Sequence, residues 1–175
     1  MPPLGDRLVI VRADITTLDV DAIGNAANVA LAPGGGVCGA IHRAAGPELA
    51  EACREVGPCS TGDARLTPGF ALRAKRVIHA VGPVWSGGAK DEDRLLGSCY
   101  RAVLALADRH RLATVAFPAI STGIYGFPLE RATTIALREI AGALTWASHV
   151  KQVTCACFDD ATLAVYQRTR ASLEL

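Results

Sequence analysis

Short apolar runs alternate along this chain with longer segments of helical period, and that alternation restricts the fold more than any other feature. Leu8-Val9-Ile10-Val11 reads as a first strand, and Asp21-Ala22-Ile23-Gly24-Asn25 as a second that ends in a polar turn. From Val37 the apolar positions 37, 40, 41, 44, 45, 49, 52, 53 and 56 keep helical spacing with charges opposite, which predicts one helix over Val37 to Val56. Asp63 to Thr67 and Arg76 to Val81 read as strands, the second stopped by Gly82-Pro83. A second helical stripe, Leu96, Cys99, Tyr100, Val103 and Ala107, follows the acidic run Asp91-Glu92-Asp93, which suits a helix dipole. Thr114 to Phe117 is a buried strand closed by Pro118. Pro128 opens a helix carrying Ala132, Ile135, Ala136, Ile140 and Ala143. Lys151 to Phe158 is the last strand, and Asp159-Asp160 can cap a terminal helix. Strands and helices in this order predict a layered α/β fold with helices on both faces of the sheet.

The 175 residues suit one domain, 1–175, with a full core and no repeat or linker. Formal net charge is only +1, from 18 basic and 17 acidic residues, so no broad field favours nucleic acid or an anionic membrane. Any anion must be recognised locally. The N-terminus lacks a signal pattern and no apolar run approaches a membrane span, so a cytoplasmic protein is expected. The six cysteines have no disulfide-framework spacing, and Cys53, Cys99 and Cys155 read as small buried hydrophobes. Cys155-x-Cys157 lacks a second ligand pair, so neither a metal nor a cofactor is expected.

In such folds ligands sit beyond the carboxyl ends of the strands. Three segments there stand out: Asn25-Ala26-Ala27-Asn28, Pro33-Gly34-Gly35-Gly36-Val37-Cys38-Gly39 and Ser121-Thr122-Gly123-Ile124-Tyr125-Gly126-Phe127. Gly34 to Gly39 matches G-x-G-x-x-G and opens a helix, where free backbone amides bind phosphate. A nicotinamide-binding oxidoreductase is disfavoured, since no acid ends a strand after that helix, and no Gly-Lys-Ser/Thr marks a Walker loop. The second glycine loop lies between a buried strand and a proline-started helix. Together the two could clamp a diphosphate from opposite sides through amides, hydroxyls and helix dipoles, since neither contains Lys or Arg. Either loop read alone is equally an ordinary helix approach.

Several long motifs in order, Ala13-Asp14-Ile15-Thr16, Asn25-Ala26-Ala27-Asn28, Gly34-Gly35-Gly36-Val37, Gly39-Ala40-Ile41-His42-Arg43-Ala44-Ala45-Gly46-Pro47, His79-Ala80-Val81-Gly82-Pro83-Val84-Trp85 and Phe117-Pro118-Ala119-Ile120-Ser121-Thr122-Gly123-Ile124-Tyr125-Gly126, resemble the macrodomains, specifically their MacroD-type branch. The resemblance implies a three-layer α/β/α sandwich around a mixed sheet. It also implies ADP-ribose as ligand, and removal of ADP-ribose from acidic side chains of proteins or deacetylation of O-acetyl-ADP-ribose. By the same resemblance Asp14 would accept from the adenine amino group beside Ile15, and Phe158 would stack on the base. Gly34, Gly35, Gly36 and Val37 would surround one phosphate, and Ser121, Thr122, Gly123, Ile124 and Tyr125 the other. Asn28 would hold the distal ribose under Tyr125, with Asn28, Gly36, Cys38 and Tyr125 around the scissile bond. Plainer readings stand beside these. Asp14 also suits a turn acceptor, Phe158 core packing, and Asn25 the satisfaction of loop backbone. His42 and His79 read as structural, His110 and His149 as surface, and Trp85 and Trp146 as packing.

Cys38 is the departure that matters, because the resembling enzymes usually carry aspartate after Gly-Gly-Val. Three readings follow. Hydrolysis persists through a positioned water, with a substrate phosphate oxygen as base. Alternatively Cys38 is a thiolate at a helix N-terminus, paired with His42 one turn on. In the third the domain is a reader that binds mono-ADP-ribosylated proteins without turnover. Gly24 is a further departure, at a position where relatives commonly carry a branched apolar residue.

Overall fold

The computed structural model describes residues 4–175. Its six strands are β1 (Leu8–Arg12), β2 (Ala22–Ala26), β3 (Ala64–Pro68), β4 (Arg76–Ala80), β5 (Thr114–Phe117) and β6 (Gln152–Cys157). Five α-helices accompany them: α1 (Gly36–Ala45), α2 (Glu48–Val56), α3 (Glu92–Arg109), α4 (Leu129–Trp146) and α5 (Asp160–Ser172). The sheet runs β1-β6-β5-β2-β4-β3. Only the β3–β4 pair is antiparallel, so the sheet is mixed as the resemblance implied.

Alternate residues of the central strands point to opposite faces, and both faces are covered. Ala22, Ile78, Ala80, Val115, Phe117, Val153 and Cys155 pack into one cluster with α3, α4 and α5. Ile23, Val77, Ala116 and Ala156 pack into another with Ile41 and Ala45 of α1 and Leu49 and Cys53 of α2. Both faces of the inner strands therefore carry apolar residues, which is why those strands read as continuous apolar runs.

The single helix expected over 37–56 is two. Gly46 turns the chain at φ 90°, and Pro47, lacking an N–H, cannot continue the ladder. The apolar period runs across the break because Ile41, Ala45, Leu49 and Cys53 enter the same cluster. Asp159 does cap α5, its carboxylate accepting from the Thr162 amide at 2.8 Å. All six cysteines are free and buried. Burial pushes the Cys53 thiol up to about 11 and the Cys99 thiol up to about 12, so these behave as hydrophobes rather than nucleophiles. Trp146 is 51% exposed at the end of α4, contrary to the packing expected of it. No helix is long and apolar enough to cross a membrane, among the described residues. Gly24 lets the edge of Phe117 approach, since a Cβ there would lie 3.3 Å from the ring.

Asp21 ties the start of β2 to the start of β5. Its carboxylate accepts from the amides of Ala113 at 2.8 Å and Thr114 at 3.1 Å and from Lys75 Nζ at 3.0 Å. Burial works to raise its pKa, but the Lys75 and amide hydrogen bonds outweigh this and hold it below the ordinary aspartate value. A depressed folded pKa gives stability that is present above the unfolded pKa and lost as pH falls through the folded one. Asp21→Ala is expected to cost about 2 kcal/mol near pH 7, from the two amides left unpaired. In urea unfolding, the gap to wild type is expected to narrow below about pH 4. A gap constant down to pH 2 would contradict this role for the ionised carboxylate.

Candidate functional site

The carboxyl ends of the parallel strands open into a cleft of about 560 Å³, a size suited to a small organic ligand. Its lining comes from the loops expected. Asp14 and Ile15 follow β1, Asn28 follows β2, Gly34 to Cys38 enter α1, Ser121 to Tyr125 follow β5, and Phe158 follows β6. Adjacent strands lie about 4.8 Å apart, so the β1/β6 end and the β2 end are separated by roughly 10–14 Å. The cleft is accordingly elongated, with Asp14 and Phe158 at one end and Asn28 and Cys38 toward the other.

The α1 entrance is built to leave donors free. Gly35 is the N-cap and no side chain caps the helix, so its first amides have no partner within it. Gly36 holds φ 58°, a conformation that favours glycine. A Cβ on Gly39 would lie 2.5 Å from the Gly34 carbonyl oxygen, so the loop folds onto the helix only because residue 39 has none. Opposite, Ser121 sits at φ 67°, an uncommon conformation for a residue with a side chain. It is held by Phe127 N–H donating to its carbonyl at 2.9 Å, while the neighbouring Thr122 hydroxyl donates to Ala119 O at 2.8 Å. The Ser121 hydroxyl is buried without a partner and packs into space left by Gly82. Ile124, 79% exposed, reaches across so that its Cδ1 lies 3.0 Å from where a Gly35 Cβ would be. The two glycine loops therefore face each other across the cleft.

Asp14 both caps and remains open. Its Oδ1 accepts from the Thr16 amide at 3.0 Å and the Thr16 hydroxyl at 2.8 Å, while the residue itself is exposed in the cleft wall. Ile15 is buried against α1 and α2. Phe158 is 85% exposed, so core packing is not its role. Tyr125 is half-buried. Asn28 is braced by the loop, donating to Ala32 O at 2.9 Å and accepting from Ala32 N at 3.0 Å.

Asn25 does not satisfy loop backbone. It is buried in β2, with Nδ2 3.0 Å from His79 Nδ1 and 3.7 Å from Cys38 Sγ. His79 Nε2 meets the Thr67 hydroxyl at 2.9 Å, and burial drives its pKa down to about 3, so it is neutral. His79 is thus the hydrogen-bonded core histidine expected. Cys38 is 5% exposed and its thiol faces Ala32 O at 3.7 Å. His42 is not among its partners, and burial lowers the His42 pKa, so no imidazolium is offered to draw out a thiolate. The nucleophile–base pairing considered for Cys38 and His42 is absent. His110 is exposed, and His149 is half-buried against Asp108.

Arg43 is a cleft residue the sequence reading passed over as part of α1. It is the one cation in the lining, and the lack of a side chain on Gly39 leaves room for its guanidinium, 3.1 Å from the would-be Cβ. The spacing Gly39 to Arg43, one turn, was the available signal. Carboxylates in the lining come only from Asp14 and Asp159, both at the β1/β6 end. No cluster of metal-ligating side chains occurs among the described residues.

The molecule is a mixed sheet between two helical layers, with paired glycine loops at its carboxyl edge. A model of the Macro domain family matches residues 24–136, and the chain belongs to that family. A macro domain-containing protein of Chlorobaculum tepidum is 55% identical over 162 residues, 93% of this chain and 94% of its own. A Salmonella gallinarum protein named O-acetyl-ADP-ribose deacetylase is 49% identical over 166 residues, 93% of each. Among solved structures, a variant of the Oceanobacillus iheyensis macrodomain with ADPR superposes with TM-score 0.93 at 38% identity, covering 98% of this chain and 96% of that one. The Trypanosoma brucei macrodomain in complex with ADP-ribose gives 0.88 at 39% identity, covering 95% and 72%.

Gly82→Ala places a Cβ 2.1 Å from Ser121 Oγ and 2.7 Å from Ile120 Cγ2. It is expected to lower stability by about 1–3 kcal/mol in urea unfolding, as overpacking does. Gly123→Ala, with nothing within 4 Å of its Cβ, is the control and is expected to unfold as wild type does. Equal stability of the Gly82→Ala protein would show that Ser121 is not held by that contact.

Proposed function

We propose that this chain, as one domain, binds ADP-ribose in the cleft and hydrolyses it from acidic side chains of mono-ADP-ribosylated proteins or cleaves the acetyl ester of O-acetyl-ADP-ribose. The observation that carries the reading is the pair of glycine loops facing across the cleft, one with an uncapped helix N-terminus and the other with a left-handed Ser121. Amides presented this way suit the two phosphates of a diphosphate. In this reading Gly34, Gly35, Gly36 and Val37 take one phosphate and Ser121 to Tyr125 the other. Asp14 accepts from the adenine amino group through the carboxylate oxygen that Thr16 leaves free, Ile15 lies beside the base, and exposed Phe158 stacks on it. Asn28, braced by Ala32, holds the distal ribose, and Tyr125 covers it.

Turnover in this reading uses no protein base. The carboxylates of the cleft lie at its β1/β6 end, away from Asn28 and Cys38. Asn28 and the Gly36 loop hold a water, whose oxygen bonds to the ribose C1″ or the ester carbonyl as the carboxylate or alkoxide leaves. A phosphate oxygen of the substrate takes the water's proton and passes it on to the leaving oxygen or to solvent. Preorganised dipoles and positioning supply the acceleration. Cys38 fills space beneath the ribose and is not a nucleophile.

The test is release of ADP-ribose from glutamate-modified protein and of acetate from O-acetyl-ADP-ribose. Release above a buffer control is expected, with Cys38→Ala retaining kcat within about threefold and Asn28→Ala losing about a hundredfold. Release abolished by Cys38→Ala would restore the thiol mechanism. The second reading, a non-catalytic reader, is favoured by the missing carboxylate at Cys38 and would be established by ADP-ribose binding without release of either product.

A further inference from the structure

Glu92 is 1% exposed yet carries a carboxylate, and its side chain is spent on a loop rather than on a cation. Oε1 accepts from the amides of Ser86 at 3.0 Å and Gly88 at 3.1 Å, and Oε2 from Lys90 at 2.7 Å. The sequence made it one of three acidic residues suited to the α3 dipole. The fold turns it back over the segment that precedes it. Burial works to raise its pKa, and the amide hydrogen bonds bring it below the ordinary glutamate value, so the anion is what the loop is wrapped around.

That loop is tied to a wall of the cleft. Trp85, next to Ser86, donates its backbone N–H to the Tyr125 carbonyl at 2.8 Å. Its ring lies 4.7 Å from Phe127 and under the Arg131 guanidinium at 5.1 Å, and Arg131 is held by Asp93 through two contacts of 2.8 and 2.7 Å. Gly88 closes over the Trp85 ring, where a Cβ would stand 3.0 Å away. The chain around Tyr125 is also tied within the second glycine loop, by Gly126 N–H to Gly123 O at 3.0 Å. The only hydrogen bond to Tyr125's own carbonyl in the described backbone comes from Trp85.

We propose that Glu92 is a positioning residue for the candidate site, setting Tyr125 over the distal ribose through Ser86 and the Trp85 amide. The inference rests on the role given to Tyr125 above. A side chain shifted by about an ångström costs up to a hundredfold in rate without a matching loss of binding. Glu92 is not among the residues that line the cleft.

Two measurements on the full chain test it. Glu92→Gln keeps the shape and one acceptor but turns an N–H₂ toward the loop amides. It is expected to lower kcat for release by roughly tenfold or more while the ADP-ribose Kd changes less than about threefold. In a Tyr125→Ala background the same change is expected to add almost nothing, since the two act as one unit. Additive losses, or a Kd that rises as steeply as kcat falls, overturn the inference. Hydrogen exchange on the free protein is independent of activity. Glu92→Gln is expected to speed exchange at Ser86, Gly88 and Lys90 and also at Trp85 and Gly126, with the α4 core unchanged. Faster exchange confined to 86–90 overturns the coupling even if the enzyme is active. Wild type that binds ADP-ribose but releases nothing defeats the hydrolase reading alone, and the exchange result still decides the coupling.

Discussion

The parallel ladder β1-β6-β5-β2 is the constraint from which the site follows. Because these four strands run the same way in register, Leu8 with Val153 and Ala22 with Val115, their carboxyl ends stop along one edge. Most of what lines the cleft is the first few residues beyond that edge, or the helix entrance facing it. A slip of register by one residue would exchange the two buried faces of a strand and carry its loop off the edge. The apolar surfaces of both helical layers therefore hold the loops in place as much as they hold the sheet.

Within that frame the loops are shaped by residues that lack a side chain where one would collide. Gly39 admits the Gly34 carbonyl and Gly82 admits the Ser121 side chain. Ser121 is held in the left-handed region by surrounding hydrogen bonds, the kind of local strain that folded proteins retain at functional positions when neighbours over-determine it. Under the same loops lies a polar thread through the apolar core, Thr67–His79–Asn25–Cys38, in which a neutral histidine accepts from Asn25 and donates to Thr67. It links β3, β4 and β2 to the first turn of α1. Asn25 Oδ1 is left buried without a partner, an unusual feature beside a cleft.

Much of this was legible in the sequence because apolar period and strand punctuation are local. The strand ends came within two residues, and each of the three post-strand segments read as notable contributes to the cleft lining, together with residues that follow β1 and β6. The helix break at Gly46-Pro47 was hidden because α2 continues the apolar stripe of α1 onto the same face, so period alone could not reveal the turn. Roles set by tertiary contacts were not legible at all. Glu92 looked like a dipole charge until the fold turned its carboxylate onto the preceding loop. Arg43 looked like a surface residue of a helix until Gly39 let it reach the cleft. Asn25 and Asn28 sit three apart in one motif, yet one is buried against His79 and the other faces the cleft, a difference that depends on where β2 ends. The antiparallel direction of β3 also carried no local signal.

The central claim is that main-chain amides of two facing turns, with little help from cations, grip a diphosphate. Amide chemical shifts of nitrogen-15-labelled protein, followed as ADP-ribose is added, address it directly. The expected result is large, saturable shifts at Gly35, Gly36, Val37 and Cys38 together with Ser121 to Tyr125, matched by smaller ones near Asp14 and Phe158. Shifts confined to one turn, or centred on side chains elsewhere with both glycine turns unmoved, would contradict it.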